Sequence, residues 1–317
     1  QGEWDMGAYR DEQGKNVPLD IRTERRITAQ AEKMSEDALR VLGFCEETPS
    51  GDKVFLGLMG MIDPPRPEAK KAVKLCGKAH IRTVMITGDH KKTAAAIAEQ
   101  AGILRKDGLV FTGDELDKMS DEKLESVIDR AAVFARVSPE HKLRIVRAFK
   151  KKGHIVTMTG DGVNDAPAVK EAHIGVAMGI TGTDVTKQAA DVILLDDNFA
   201  TLVNAVTQGR AVYANIRKFV RYLLSCNIGE VLTMFLGIVF GTPMVLLPTQ
   251  ILLVNLVTDG LPAVALGVEP PDMSRMEKPP RKPDESFFSD GLMAKIIIRG
   301  ILIGILSLGS FLAAMHI

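Results

Sequence analysis

Cysteine and tryptophan are scarce in this chain of 317 residues, which holds three cysteines (Cys45, Cys76 and Cys226) and a single tryptophan. The cysteines lie too far apart in sequence to read as a zinc-ligand or disulfide framework, and they suit a reducing compartment. Net charge is lacking too, since 40 Lys and Arg balance 40 Asp and Glu. A neutral chain offers no electrostatic argument for a nucleic-acid partner, and none is expected. Aromatic residues make up only 5% of the chain. The chain opens on Gln1 and ends inside the apolar run SLGSFLAAMHI, so both ends read as cut from a longer protein.

A mean hydropathy of +0.07 is high beside 25% charged residues, and the average hides a split. Residues 1–220 are charge-rich, whereas 222–317 carry long apolar runs. In the first part, residues 27–42 are helix-prone. The run 53–62, KVFLGLMGMI, reads as a fully buried strand stopped by Asp63-Pro64-Pro65-Arg66-Pro67, because proline cannot continue a ladder. Further strands are expected at 81–86, 109–111, 133–136, 154–158, 174–177 and 192–195. Helices are expected between them at 68–77, 93–101, 121–132 and 138–150, the last opening on Ser138-Pro139-Glu140 with an N-cap serine and an N1 proline. Strands alternating with helices predict a parallel, doubly wound α/β sheet.

The stretch HIVTMTGDGVNDAPA, residues 154–168, organises this part. Its apolar start gives a strand, and Asp161, Asn164 and Asp165 follow on a glycine-rich turn at the carboxyl end, where open α/β sheets bind ligands. Closely spaced carboxylates there can hold Mg²⁺ beside a phosphoryl group, because Mg²⁺ takes hard oxygen ligands and shares them with phosphate. Thr87-Gly88-Asp89 ends another strand and can offer a hydroxyl and a backbone N–H to a phosphoryl oxygen. Lys142, on the helix after ARVSPEHK, can neutralise developing phosphoryl charge. Singly, each has a plain structural reading as a turn residue or a solvated lysine; the ordered set is specific.

From residue 199 the pattern changes to a helix carrying Arg210, Arg217, Lys218 and Arg221, which runs into the first of three apolar spans, at about 222–241, 245–268 and 292–316. Each is near the ~20 residues that cross a bilayer. Basic residues precede the first span and populate the proline-rich segment 269–290, while the turn between the first two spans has none. The positive-inside rule then puts the α/β part in the cytoplasm. Asn227 and Glu230 fall three apart, and Asn255, Thr258 and Asp259 fall at i, i+3 and i+4, so each set shares a helix face. Carboxylates inside a membrane are costly and mark ion or proton pathways by default. Gly260 and Pro262 are expected to loosen the second span and free carbonyls beside the site. Interhelical hydrogen-bonding glue is the competing reading.

MITGD, FARVSPEHK, MTGDGVNDAP and the NIGE…NLVTDGLPA pair resemble the P-type cation-transporting ATPases, and most of all the sarco/endoplasmic-reticulum-type calcium pumps and their bacterial relatives. The resemblance extends from about Ala38 to the end of the chain. It implies a haloacid-dehalogenase-like, Rossmann-like phosphorylation domain at 51–198, preceded by the end of a nucleotide-binding domain at 1–50 and followed by a stalk and an all-α transmembrane bundle at 199–317. It further implies ATP as substrate, Mg²⁺ bound by Asp161, and nucleotide or phosphoryl contacts from Thr87, Gly88, Asp89, Lys142 and Asn164, with Arg40 and Arg136 on the ATP. Asp165 joins Asp161 and Lys142 in the catalytic group. Asn227, Glu230, Asn255, Thr258 and Asp259 match cation ligands, with Ca²⁺ the expected cargo and Glu230 leaning towards two ions. The helix from 199 to 240 is the expected mechanical link, and the membrane is expected to be a bacterial plasma membrane rather than an internal one.

The family's nucleophile lies in an Asp-Lys-Thr-Gly-Thr motif that these 317 residues do not contain, and the Thr-Gly-Glu loop is missing too. The chain by itself is therefore expected not to turn over ATP. Three rival functions follow: a pump for Mn²⁺ or a monovalent cation, a membrane-anchored phosphatase of the haloacid dehalogenase type, and a non-catalytic binding module. The phosphatase has no use for Glu230 and Asp259 in the spans. Oxygen-only ligands do not separate Ca²⁺ from Mn²⁺.

Overall fold

The structure is a computed structural model that describes residues 7–11, 13–37, 39–62 and 64–315. Ala38, Asp63 of the proline-rich stop, and His316 and Ile317 at the end of the third span lie outside the described residues. The chain divides into two compact units, Gln1–Gly77 with Ile81–Leu202 and Lys78–His80 with Val203–Ile317.

The first unit begins with a four-stranded mixed sheet. Its strands are β1 (Ala8–Arg10), β2 (Asn16–Pro18), β3 (Arg40–Glu47) and β4 (Lys53–Met61), in the order β2-β1-β4-β3. Helix α1 (Ile21–Glu36) separates β2 from β3 and is capped by Asp20, whose side chain accepts from the Thr23 N–H at 2.8 Å. Two expectations fail here. The helix foreseen at 27–42 stops at Glu36, and Arg40-Val41-Leu42 are strand, paired antiparallel with Met61, Gly60 and Met59. The strand at 53–62 is not fully buried and does not join the parallel sheets: only Val54 and Phe55 are buried, and it pairs with β1 and β3.

The βα alternation follows: α2 (Pro67–Lys78), β5 (Met85–Ile86), α3 (Lys91–Ala101), β6 (Leu109–Thr112), α4 (Gly113–Asp117), α5 (Asp121–Val127), β7 (Ala131–Ala135), α6 (Pro139–Lys151), β8 (Thr157–Gly160), α7 (Ala166–Glu171), β9 (Ile174–Met178), α8 (Asp184–Ala189) and β10 (Val192–Leu194). All pairings among these strands are parallel, as expected, but they form two three-stranded sheets, β5-β7-β6 and β10-β9-β8. No ladder joins β5 to β8 among the described residues.

Several boundaries shift for local reasons. At 81–86 only Met85–Ile86 is strand, because His80 turns at φ +56° and the Ile81 N–H bonds back to the Cys76 carbonyl. The strand foreseen at 154–158 starts at Thr157, since the Val156 N–H is taken by His173 Nδ1. Ala131 and Ala132 open β7 rather than close a helix. β7 is buried along its whole length, and Phe134 packs with Leu116, Leu124, Ile128 and Ile145 in the main core cluster. Each such side chain contributes about 1.5–3 kcal/mol on burial.

The second unit holds the apolar helices. Helix α9 is continuous over Phe199–Val239, 41 residues, or about 60 Å at the helical rise. The second span is broken into α10 (Pro248–Leu253), a π-helical turn (Val254–Asp259) and α11 (Gly260–Gly267); the third is α12 (Leu292–Met315). These three helical stretches are long and apolar enough to cross a membrane. Small residues set the contact of α9 with α12. A Cβ on Gly300 would lie 2.5 Å from Ile228 Cγ2, and one on Gly229 would lie 2.5 Å from Ile303 Cγ2. The Ser225 and Thr233 hydroxyls also donate to the carbonyls of Ile296 and Gly304, both at 3.3 Å. The segment between the second and third spans is pinned onto α9, with Arg210 donating to the Arg275 and Lys278 carbonyls and Asn215 to that of Glu269.

Candidate functional site

In the first unit the candidate site residues gather at the carboxyl ends of β5, β7 and β8. The turn after β8 is built around Asp165, which is buried. One of its oxygens receives the Lys142 ammonium at 2.5 Å; the other receives the N–H groups of Asp161 at 3.3 Å and Gly162 at 3.2 Å. Only glycine fits at position 160, where a Cβ would stand 2.4 Å from that of Asp165. Helix α8 holds the same turn from outside: Thr186 Oγ1 donates to the Gly162 carbonyl at 2.7 Å, and the Thr183 N–H donates to the Asp161 carbonyl at 2.9 Å. Sequence reading missed Thr183 and Thr186. Their spacing matched an N-cap and nothing more, which is also what Thr183 is. With Asp165 committed to structure, the exposed Asp161 carboxylate and Asn164 side-chain amide are left free of hydrogen bonds among the described residues.

Lys142 reaches this turn because α6 starts in a capping box. Ser138 Oγ accepts from the His141 N–H at 3.3 Å, while His141 Nδ1 accepts from the Ser138 N–H at 3.1 Å. In the turn after β5, Thr87 Oγ1 donates to Asp89 at 2.8 Å and accepts from the Asp89 N–H at 3.1 Å, a turn that β7 anchors through Thr87 N–H to the Phe134 carbonyl at 2.9 Å. The two turns thus stand at the ends of two separate sheets.

Gly88, Asp89, Arg40 and Arg136 meet instead around a cavity of about 830 Å³, walled by α1, β3 and the start of α3. Arg136 enters it from a left-handed backbone conformation, φ +51°, which costs a non-glycine residue about 1–3 kcal/mol. Its N–H donates to the Asp89 carbonyl at 3.2 Å, and Gly113 makes room, since a Cβ there would lie 2.3 Å from the Arg136 carbonyl oxygen. Lys92 at the rim donates to Glu36 and Glu32, and these two carboxylates, Glu36 foremost, raise its pKa. Phe44 and Val41 give the cavity an apolar side.

In the second unit α9 and the π-turn of the second span face each other. Asn255 Nδ2 donates to one oxygen of Glu230 at 3.1 Å. Tyr222 OH donates to the Thr258 carbonyl at 3.2 Å and approaches Asp259 Oδ1 at 3.4 Å. That carbonyl is available because Pro262, four residues on, has no N–H to offer it. The remaining oxygens, Glu230 Oε1 and Asp259 Oδ2, are buried without a partner among the described residues. Two carboxylate oxygens without donors, beside an amide and a displaced carbonyl, form an oxygen environment suited to a hard cation. The structure brings together Glu230, Asn255 and Asp259, whereas Asn227 and Thr258 are exposed. Tyr222 is an addition, through its hydroxyl on the Thr258 carbonyl and Asp259. Its place two helical turns before Glu230, on the same face, was a legible signal.

Comparison with known proteins agrees with this division. The family model for haloacid dehalogenase-like hydrolases matches residues 13–173, and that for the C-terminus of cation transporting ATPases matches residues 243–317. The chain is 51% identical to a calcium-transporting ATPase of Bacillus subtilis over 297 residues, covering 92% of this chain and 33% of that protein. It is 52% identical to calcium-transporting ATPase 1 of Bacillus cereus, covering 94% and 35% of the two chains. It is 51% identical to the endoplasmic reticulum calcium ATPase srcA of Aspergillus fumigatus, covering 79% and 26%. The chain thus spans about a third of the length of the curated relatives it matches. With the haloacid dehalogenase-like match running from β2 to α7 and the ATPase match over the second and third apolar spans, the chain belongs to the P-type cation-transporting ATPases, a family built on the haloacid dehalogenase-like hydrolase fold.

Proposed function

We propose that this chain is the phosphoryl-handling and ion-binding part of an ATP-driven pump that exports Ca²⁺ from the cytoplasm through an aspartyl-phosphate. The observation that carries the reading is the pair of buried, partnerless oxygens on Glu230 and Asp259, set on two apolar spans and joined through Asn255. A soluble-type phosphatase anchored by helices has no use for them. The relatives named as calcium-transporting ATPases support Ca²⁺ as the cargo.

ATP would occupy the 830 Å³ cavity, its phosphates drawn by Arg40, Arg136 and the Gly88–Asp89 turn. Thr87, Lys142 and Asn164 would face the transferred phosphoryl group, and Asp165 would keep Lys142 and the turn in place. The free Asp161 carboxylate, an exposed hard oxygen donor beside the anchored turn, fits Mg²⁺. Bound there, Mg²⁺ neutralises charge on phosphoryl oxygens. The nucleophilic aspartate is absent from these 317 residues and would come from a longer protein. Strand edges β5 and β8, unjoined by any ladder among the described residues, are where a further parallel strand carrying it would complete one sheet. α9, continuous from Phe199 to Val239, would couple that chemistry to the ion ligands. The basic residues of α9 and of 269–290 support a cytoplasmic α/β part, and the membrane would be a bacterial plasma membrane.

The test is ATP-dependent uptake of radioactive calcium into inverted vesicles by the full-length protein, with and without Glu230→Gln and Asp259→Asn. The expected result is uptake by the wild type that both substitutions abolish. Unchanged uptake in the variants overturns the ion site; a wild type that takes up no calcium but whose ATPase responds to another cation replaces the ion.

A further inference from the structure

We propose that the second unit binds the phosphate of an anionic phospholipid headgroup in a basic pocket where α9 enters its apolar stretch and α12 begins. The pocket is a cavity of about 280 Å³ lined by Arg217, Lys218, Arg221, Arg275 and Lys295, with Asp290 its single carboxylate. Lys218 is paired with Glu269, and Arg217 with Asp290 at 3.1 Å. Five cations against these two carboxylates leave a surplus of three positive charges. The surplus is chemically unmet. Arg221 Nε is buried with no partner, the Arg275 guanidinium donates to nothing among the described residues, and Lys295 reaches only the Asp290 backbone carbonyl at 3.3 Å. A buried guanidinium N–H without an acceptor is costly, and a phosphate oxygen supplies what is missing. Leu292, on the pocket wall, opens α12, a 24-residue helix whose positive dipole end favours the same charge.

Position selects a lipid over a soluble anion. Arg217, Lys218 and Arg221 stand directly before the apolar stretch of α9, and Lys295 lies in the first turn of α12, the level at which lipid phosphates sit on the positive side of a bilayer. Met293 and Ile297, exposed and one turn apart on α12, begin an apolar track for an acyl chain beside Leu292. The positive surplus disfavours a zwitterionic headgroup, whose ammonium would meet like charge, and selects a net anionic phosphodiester such as phosphatidylglycerol. The inference uses the membrane-spanning reading but not the identity of the transported ion, and lipid retention is scored separately from calcium uptake.

The test is native mass spectrometry and nanodisc reconstitution of the full-length protein, counting phosphatidylglycerol against phosphatidylcholine retained after detergent washing. The variants are Arg221→Gln with Lys295→Gln, and Arg275→Gln alone, which loses no hydrogen bond in the free protein. A charge-matched control changes the exposed Lys70 and Lys71 of α2 to Gln. The expected result is preferential retention of phosphatidylglycerol by the wild type and the control. The double variant should lose roughly tenfold in apparent affinity, about 1.4 kcal/mol, and Arg275→Gln several-fold. Equal retention of the two lipids, unchanged retention in both variants, or displacement of the lipid by inorganic phosphate alone would overturn the proposal, the last by making this a site for free anions.

Discussion

Replacing Asp165 by alanine removes three contacts at once from the turn after β8. Its carboxylate is the acceptor for Lys142 Nζ at 2.5 Å and for the N–H groups of Asp161 and Gly162 at 3.3 and 3.2 Å. Hydrogen bonds to charged groups are worth about 1.5–3 kcal/mol net, and breaking a buried ion pair from one side costs about 3–5 kcal/mol. The Lys142 side chain keeps 18% of its exposure, so water recovers part of that loss and the lower end applies, about 3 kcal/mol in all. At 1.4 kcal/mol per factor of ten, the turn should open roughly a hundredfold more often. Amide hydrogen exchange reads this locally: the Asp161 and Gly162 amides should exchange about a hundredfold faster, while those of buried Val176 and Ala177 in β9 hold their rates. Lys142→Met, which leaves the carboxylate with both backbone donors, should accelerate the same two amides much less. Unchanged exchange at Asp161 and Gly162 in Asp165→Ala would refute the assignment of Asp165 as the anchor of the turn. Equal acceleration across β9 would refute the claim that its effect is local.

Gly300→Ala should lower thermal stability in detergent by about 1–3 kcal/mol, because the new methyl meets Ile228 Cγ2 at 2.5 Å and the Ser225 carbonyl at 3.1 Å; an unshifted melt would mean that α9 and α12 do not pack this closely. Ser138→Ala should cost about 1 kcal/mol through the lost cap of α6 and weaken the hold of Lys142 on Asp165, which differential scanning of the purified protein would register. Asp197 gives a pH dependence. The backbone N–H of Ile180, then that of Thr181, hold its carboxyl down to about 2 from an ordinary 3.8. A group depressed on folding stabilises above its unfolded value, so the contribution is complete above about 3.8 and disappears as pH falls towards 2. Asp197→Asn should therefore flatten the acid limb of a melting series run between neutral pH and that range, and an identical limb would remove Asp197 from it.

What could be read from the sequence and what could not divides along physical lines. Elements whose ends are written in local chemistry came through, such as α6 behind Ser138-Pro139, because a cap is satisfied within one turn of chain. Arg40-Val41-Leu42 did not. Their pattern suits a helix or a strand equally, and pairing with 59–61, far along the chain, decided for strand. Arg40 reaches the cavity wall from that strand rather than from a helix. The two turns at the ends of β5 and β8 were legible as turns because their glycines and carboxylates are written side by side in the sequence. Their division between two sheets was not, since nothing local records which strand edges stay unpaired. The second span is the sharpest case. Pro262 announces that a carbonyl is released, and Thr258 is four residues before it. Which donor claims that carbonyl is a property of the facing helix, where Tyr222 lies two turns before Glu230 and looks in sequence like an interfacial aromatic. Only the approach of α9 to the π-turn makes Tyr222 a constituent of the candidate ion site. The hydroxyl ties the loosened backbone and leans on one Asp259 oxygen, and the other is left without a partner among the described residues.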